Sequence, residues 1–299
     1  MRPSITIHQL LVEGEKLFLR HRLAFGHGTT SAWDEAVLLL AYALDLGPMP
    51  HRSLLERPVD EAHITAVRTL FHRRAHERIP AAYLTSEAWF CGLSLYVDER
   101  VLIPRSPIAQ LITDQFQPWI TTPPNNILDL CTGSGCIGIA CAYAFSRAHI
   151  LLSDICEHAL AVADINVQAH QLKGRVSVLQ SDLFGSLNDQ QFDLIVSNPP
   201  YVDAQDFASM PKEFEHEPSL GLLSGNDGLD FTRRLLVQAQ RYLRPDGVLV
   251  VEVGNTALAL EQAFPRMPFT WIEFADGDGD GGVFLLSREQ LLENRQSPA

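Results

Sequence analysis

The stretch LDLCTGSGCIGIA, residues 128–140, runs an apolar strand-like segment into three glycines, Gly133, Gly135 and Gly138. That G-x-G-x-x-G spacing, placed between a strand and a helix, marks a turn where missing Cβ atoms let a ligand approach the backbone. Around it, strand-like runs alternate with helix-like segments: NILDL (126–130), AHILLSD (148–154), RVSVLQSD (175–182), FDLIVSNPP (192–200) and GVLVVEVG (247–254). This alternation predicts an α/β fold with a Rossmann-like, doubly wound parallel sheet. At the C-terminal side, FTWIEFADGDGDGGVFLLS (269–287) reads as two strands around a Gly/Asp turn, adding a terminal antiparallel hairpin.

Taken alone, the glycine turn admits two ligands. A dinucleotide would set its pyrophosphate on the helix N-terminus; S-adenosylmethionine would lay its methionine part across the same turn. Asp154 ends the next strand, 19 residues beyond Gly135, where a carboxylate can accept hydrogen bonds from ribose hydroxyls in either case. Asp182 ends the third strand and can meet an adenine amino group. Ligands of open α/β sheets bind outside the carboxyl ends of the strands, so Asp129, Asp154, Asp182 and Asn198 are expected to converge there.

The fourth strand ends in SNPPYVD, residues 197–203. Each proline fixes its own φ and donates no hydrogen bond, and Pro199 also restricts Asn198. Two rigid acceptors result, the Asn198 side-chain oxygen and the Pro199 carbonyl. They suit an acceptor amide, whose lone pair is delocalised and whose NH₂ must be oriented while positive charge develops on nitrogen during methyl transfer. Tyr201 can wall off water and face the cationic transition state with its ring. A dinucleotide oxidoreductase would leave the proline pair unexplained.

Upstream, three amphipathic helices are expected over roughly 5–24, 31–46 and 60–78, with Ser31 and Asp60 as caps and Pro80 as a stop. Residues 81–104 alternate like strands around a turn at Asp98–Arg100. His72 and His76 stand four apart, but the neighbouring Arg73, Arg74 and Arg78 point to a solvated basic face rather than a metal site. The five cysteines include no C-x-x-C pair and imply neither a disulfide framework nor zinc. The chain of 299 residues carries a net charge of −13, of which residues 101–299 contribute 12 Lys+Arg against 24 Asp+Glu. Such a surface disfavours a phosphate backbone and favours a basic partner. From 203 to 230 seven acids face one lysine, so Glu213, Glu215 and Glu217 either steer a basic substrate loop toward Tyr201 or form a solvated loop. No apolar run is long enough for a membrane span and no signal peptide is legible, which predicts a cytoplasmic protein.

These motifs resemble the PrmB/PrmC (HemK) family of class I S-adenosylmethionine-dependent protein-glutamine methyltransferases, over almost the whole chain. The resemblance implies a helical substrate-recognition domain at 1–80, a β-hairpin linker at 81–104 and a catalytic domain at 105–299. It implies that Asn198, Pro199, Pro200 and Tyr201 bind the glutamine amide. Cys131, Thr132, Gly133, Ser134 and Gly135 match the cofactor turn, Asp154 the ribose acid, and Asp182 with Leu183 the adenine side, with Asn198 also among the implied cofactor-binding residues. Phe90, or its neighbour Trp89, matches a family aromatic that packs on the cofactor. The implied cofactor is S-adenosylmethionine, with S-adenosylhomocysteine as product and no metal. LIPRSPIAQLI (102–112) and EHEPSLGLLSGNDGLDFTRRLL (215–236) resemble the branch acting on the third large-subunit ribosomal protein, a basic substrate, rather than the release-factor branch. Gln110 departs from the Glu of many relatives. Less favoured are a nucleic-acid adenine methyltransferase, which would need a basic groove, and a non-catalytic ribosome-assembly factor.

Overall fold

Apolar residues at helical spacing, closed by polar caps, build the first three elements of the computed structural model, which describes residues 5–47, 50–274 and 282–294. Helix α1 (Ile7–His21) starts at Thr6 in a capping box with Gln9, α2 (Ala32–Ala43) at Ser31 and α3 (Glu61–Glu77) at Asp60, each cap side chain accepting a backbone N–H. Their apolar faces bury Leu10, Phe18, Leu39, Leu40, Val67 and Phe71 in one cluster. At Gly14 the α1 and α3 surfaces meet so closely that a Cβ would lie 2.6 Å from the Phe71 ring.

The expected basic face of α3 is only partly solvated. Arg73 is exposed, but Arg74 has no solvent exposure, pairs with Glu35 at 2.9 Å and donates to the Ala24 carbonyl. His72 and His76 stack at 4.1 Å, with His21 edge-on to His76. Among the described residues no group of three or more His, Cys, Asp or Glu is placed to hold a metal ion.

Pro80 ends α3 and opens the short helix α4 (Ala81–Thr85), so residues 81–85 are not strand. The hairpin is formed by β1 (Glu87–Phe90) and β2 (Leu93–Tyr96), and its turn is Cys91–Gly92 rather than Asp98–Arg100. Both turn residues have φ > 0, at 49° and 73°, matching a two-residue turn whose twist suits the flanking strands. Asp98 and Arg100 instead form a local ion pair in the following loop.

Helix α5 (Ile108–Thr113) leads into the main sheet: β3 (Asn126–Leu130), α6 (Cys136–Ala144), β4 (His149–Asp154), α7 (Glu157–Ala169), β5 (Val176–Gln180), β6 (Phe192–Ser197), α8 (Ala204–Ser209), α9 (Asp230–Gln238), β7 (Leu243–Glu252), α10 (Ala257–Ala263), β8 (Thr270–Trp271), β9 (Val283–Ser287) and α11 (Arg288–Glu293). Strand order is β5-β4-β3-β6-β7-β9-β8, parallel through the first five and antiparallel at β9. The terminal pair thus forms as expected, with β9 inserted between β7 and β8; the Gly/Asp turn at 275–281 lies outside the described residues. Strands buried on both sides read as near-continuous Val/Ile/Leu runs because helices cover both faces, giving two apolar clusters. Order reverses between β3 and β6, which opens the crevice at their carboxyl ends.

Candidate active site

The turn after β3 is built from backbone strain and two carboxylates. Cys131, Gly133 and Gly135 adopt φ of 57°, 54° and 83°. A Cβ on Gly133 would project into open space, so its φ is the constraint there, whereas one on Gly138 would overlap the Leu152 side chain. Asp129 lies fully buried beneath the turn, its Oδ2 accepting from Thr132 Oγ1 at 2.6 Å and from the Gly138 N–H at 2.9 Å. Burial pushes its carboxyl up to about 7, against the pull of those two hydrogen bonds. Asp129 therefore shapes the loop and does not reach the ligand space.

Asp154, at the end of β4, does reach it. Its Oδ2 accepts from the Gly133 N–H and its Oδ1 from the Cys156 N–H, both at 3.0 Å, and burial raises its carboxyl above the ordinary Asp range. Asn166, buried in α7, donates to the Ser134 carbonyl at 2.9 Å and exchanges hydrogen bonds with the Tyr96 backbone, tying the turn to the hairpin. Burial pushes the Cys136 thiol up to about 12 and the Cys131 thiol well above its ordinary value, so neither is a thiolate nucleophile.

A cavity of about 340 Å³ opens above this turn. Cys131, Thr132, Gly133, Ser134, Asp154, Asp182, Leu183, Asn198, Pro200 and Tyr201 line it, so most of the predicted site converges on one space. Gly135 and Pro199, both buried, do not line it. Asp182 is half-exposed and held by Arg234 at 2.8 Å. Phe90 is placed elsewhere: it is buried in the core with Leu95 and Ile108, and neither it nor Trp89 lines the cavity. Apolar walls come instead from Val101, Ile103, Ile155 and Ala159.

Asn198 makes no side-chain hydrogen bond to another described residue and faces the cavity. Tyr201 is fixed: its hydroxyl donates to Glu252 Oε1 at 2.9 Å, and a Cβ on Gly254 would lie 2.5 Å from its ring. Ser106 and Glu252 line the cavity but escaped the sequence reading. Glu252 was findable, as a lone acid ending the apolar strand β7 at the sheet's carboxyl edge. Ser106, in an irregular segment, carried no such signal.

Two of the three glutamates after the site are neither steering groups nor solvated. Glu213 and Glu217 are buried: Arg78 pairs with Glu213 at 2.7 Å, and Arg105 pairs with Glu217 through two contacts at 2.6 and 2.7 Å. Buried carboxylates persist only with such partners, so these two anchor the loop to α3 and to the segment after the hairpin. Of the three glutamates, only Glu215 is exposed.

A doubly wound sheet with a glycine turn after its first strand, acids at successive strand ends and a rigid N-P-P-Y corner defines a class I methyltransferase. A family model described as the methyltransferase small domain matches residues 109–215. The solved hMettl16 catalytic domain, in complex with the MAT2A 3′UTR hairpin 6, superposes with a TM-score of 0.54 over 83% of this chain and 91% of that one; at 17% identity it shares the fold alone. Two curated relatives go further, each named ribosomal protein uL3 glutamine methyltransferase. That of Francisella tularensis is 47% identical over 91% of this chain and 87% of its own length, and that of Neisseria gonorrhoeae 47% identical over 96% of each. The chain belongs to the uL3 glutamine methyltransferase family.

Proposed function

We propose that this protein transfers the methyl group of S-adenosylmethionine to the side-chain amide nitrogen, N5, of a glutamine in ribosomal protein uL3. The observation that carries the reading is Asn198, whose side chain makes no hydrogen bond to another described residue and lines the cavity, followed in sequence by two prolines. Family membership favours uL3 over a release factor as substrate.

The cavity fits the cofactor because the turn supplies what it needs: bare backbone at Gly133, open space above it, and Asp154 at the neighbouring strand end. Cys131 to Gly135 would hold the methionine part, Asp154 the ribose hydroxyls, and Asp182 with Leu183 the adenine side. Bound there, the cofactor supplies an electrophilic methyl on a sulfonium. Asn198 Oδ1 and the Pro199 carbonyl each accept one N–H of the substrate amide, aiming its lone pair and stabilising the charge that builds on nitrogen. Pro200 stiffens the corner. Tyr201 excludes water from the same space. Proton loss then needs no dedicated base, because the developing charge makes the amide N–H acidic.

The helical segment 1–80 serves substrate recognition in this reading, and the acidic catalytic half suits a basic protein and not a nucleic-acid backbone. Among the described residues, no helix is long and apolar enough to cross a membrane. Asn198→Ala is expected to bind S-adenosylmethionine as the wild type does, measured by calorimetry, yet to lose about 100-fold or more in methylation rate. Unchanged turnover in that variant would remove Asn198 from the mechanism.

A further inference from the structure

Glu252 lies at the cavity wall, buried, without a part in the reaction as described above. Both of its oxygens are engaged. Oε1 accepts from the Tyr201 hydroxyl at 2.9 Å, and Oε2 accepts from Ser106 Oγ at 2.6 Å. Ser106 Oγ also accepts from the Ile108 N–H at 3.2 Å, where α5 begins. A continuous chain of hydrogen bonds therefore runs from the start of α5, through a carboxylate at the end of a central strand, to the N-P-P-Y tyrosine.

We propose that Glu252, itself held by Ser106, is a positioning residue that sets the orientation of the Tyr201 ring against the substrate amide. The proposal rests on the methyl-transfer reading, in which Tyr201 walls the reacting nitrogen. Three observations carry it. Beside the ring stands Gly254, with φ of 50° and no side chain, because a Cβ there would be 2.5 Å from Tyr201 Cε2. Beneath the Tyr201 carbonyl stands Gly228, with φ of 75°, where a Cβ would overlap that oxygen. Glycine backbone packs close against the ring, and the hydroxyl's bond to Glu252 anchors its far end, so that bond sets where the ring stands. Third, a buried carboxylate costs free energy that an apolar residue in the same place would not. Its presence follows if a hydrogen-bond acceptor for the phenol is needed at this point.

The test combines steady-state kinetics on uL3 with the ring resonances of Tyr201, assigned by their loss in Tyr201→Phe. Glu252→Ala is expected to lower kcat about 10- to 100-fold, the range for a hydrogen bond to a charged group. KM for S-adenosylmethionine should stay within about twofold, because the lost contact does not hold the cofactor. Glu252→Gln, which keeps an acceptor for Tyr201 and a donor for Ser106, should restore most of the rate. In a Tyr201→Phe background Glu252→Ala should cost almost nothing more, since both changes remove one interaction. Should Glu252→Ala fail to fold, Ser106→Ala is read the same way, with a kcat loss that vanishes in the Tyr201→Phe background. Wild-type turnover in Glu252→Ala, full additivity with Tyr201→Phe, or an unaltered Tyr201 ring spectrum would overturn the proposal. If the wild type left uL3 unmethylated, the substrate reading would fall, while the ring spectrum would still decide what Glu252 does.

Discussion

Gly133, in the turn, and Gly138, in α6, sit five residues apart and are glycine for different reasons. A Cβ on Gly138 would overlap Leu152, whereas Gly133 has open space but a left-handed φ of 54°. Gly138→Ala should therefore destabilise the fold by about 1–3 kcal/mol through overpacking, read as a fall in the thermal midpoint. Gly133→Ala should cost the fold only about 1–2 kcal/mol of backbone strain but weaken cofactor binding, because it places a methyl in the ligand's space. Asp154 and Asn198 were legible because each ends a strand at the sheet's carboxyl edge. Asp129 was not, since it turns under the loop to accept from Gly138, a direction that strand position does not encode. Phe90 was likewise placed by resemblance, while its burial beside Leu95 and Ile108 follows from tertiary packing of the hairpin.

Within α3, sequence neighbours behave oppositely. Arg73 faces water and pairs with Glu77 four residues on, so Arg73→Ala should change stability by no more than about 0.5 kcal/mol. Arg74 is wholly buried against Glu35, and Arg74→Ala should cost about 3–5 kcal/mol by stranding a carboxylate. Chemical denaturation of the two variants side by side checks the contrast. Composition made both look solvated; only the packing of α3 on α2 separates them. The helix caps Ser31 and Asp60 were readable because their chemistry is local. The hairpin turn was not: Cys91–Gly92 lacks the usual Asn-Gly or Asp-Gly signal, while Asp98 and Arg100 look like turn residues.

Across the whole molecule, Glu213 and Glu217 fasten the segment after the N-P-P-Y corner to the helical bundle and to Arg105. Burial alone would raise the Glu217 carboxyl, but His27 and Arg105 outweigh it and hold the group at about 2, against 4.5 for a free Glu. A depressed folded-state value contributes stability that is complete above about pH 4.5 and lost as pH falls toward 2. That gap, at 1.36 kcal/mol per pH unit, is worth about 3 kcal/mol at neutral pH. The stability difference between wild type and Glu217→Gln should therefore shrink as pH drops from 4.5 toward 2. Seven acids in one segment suggested a steering surface, yet two of them serve this internal joint, because sequence charge does not distinguish a solvated acid from a paired one.

The most direct measurement is to incubate the purified protein with S-adenosylmethionine carrying a labelled methyl, together with free uL3 and a release factor, and to locate the label by peptide mass spectrometry. Label on one glutamine side chain of uL3, and none on the release factor, is the predicted result. Label on the release factor alone, or on neither protein, would contradict the account.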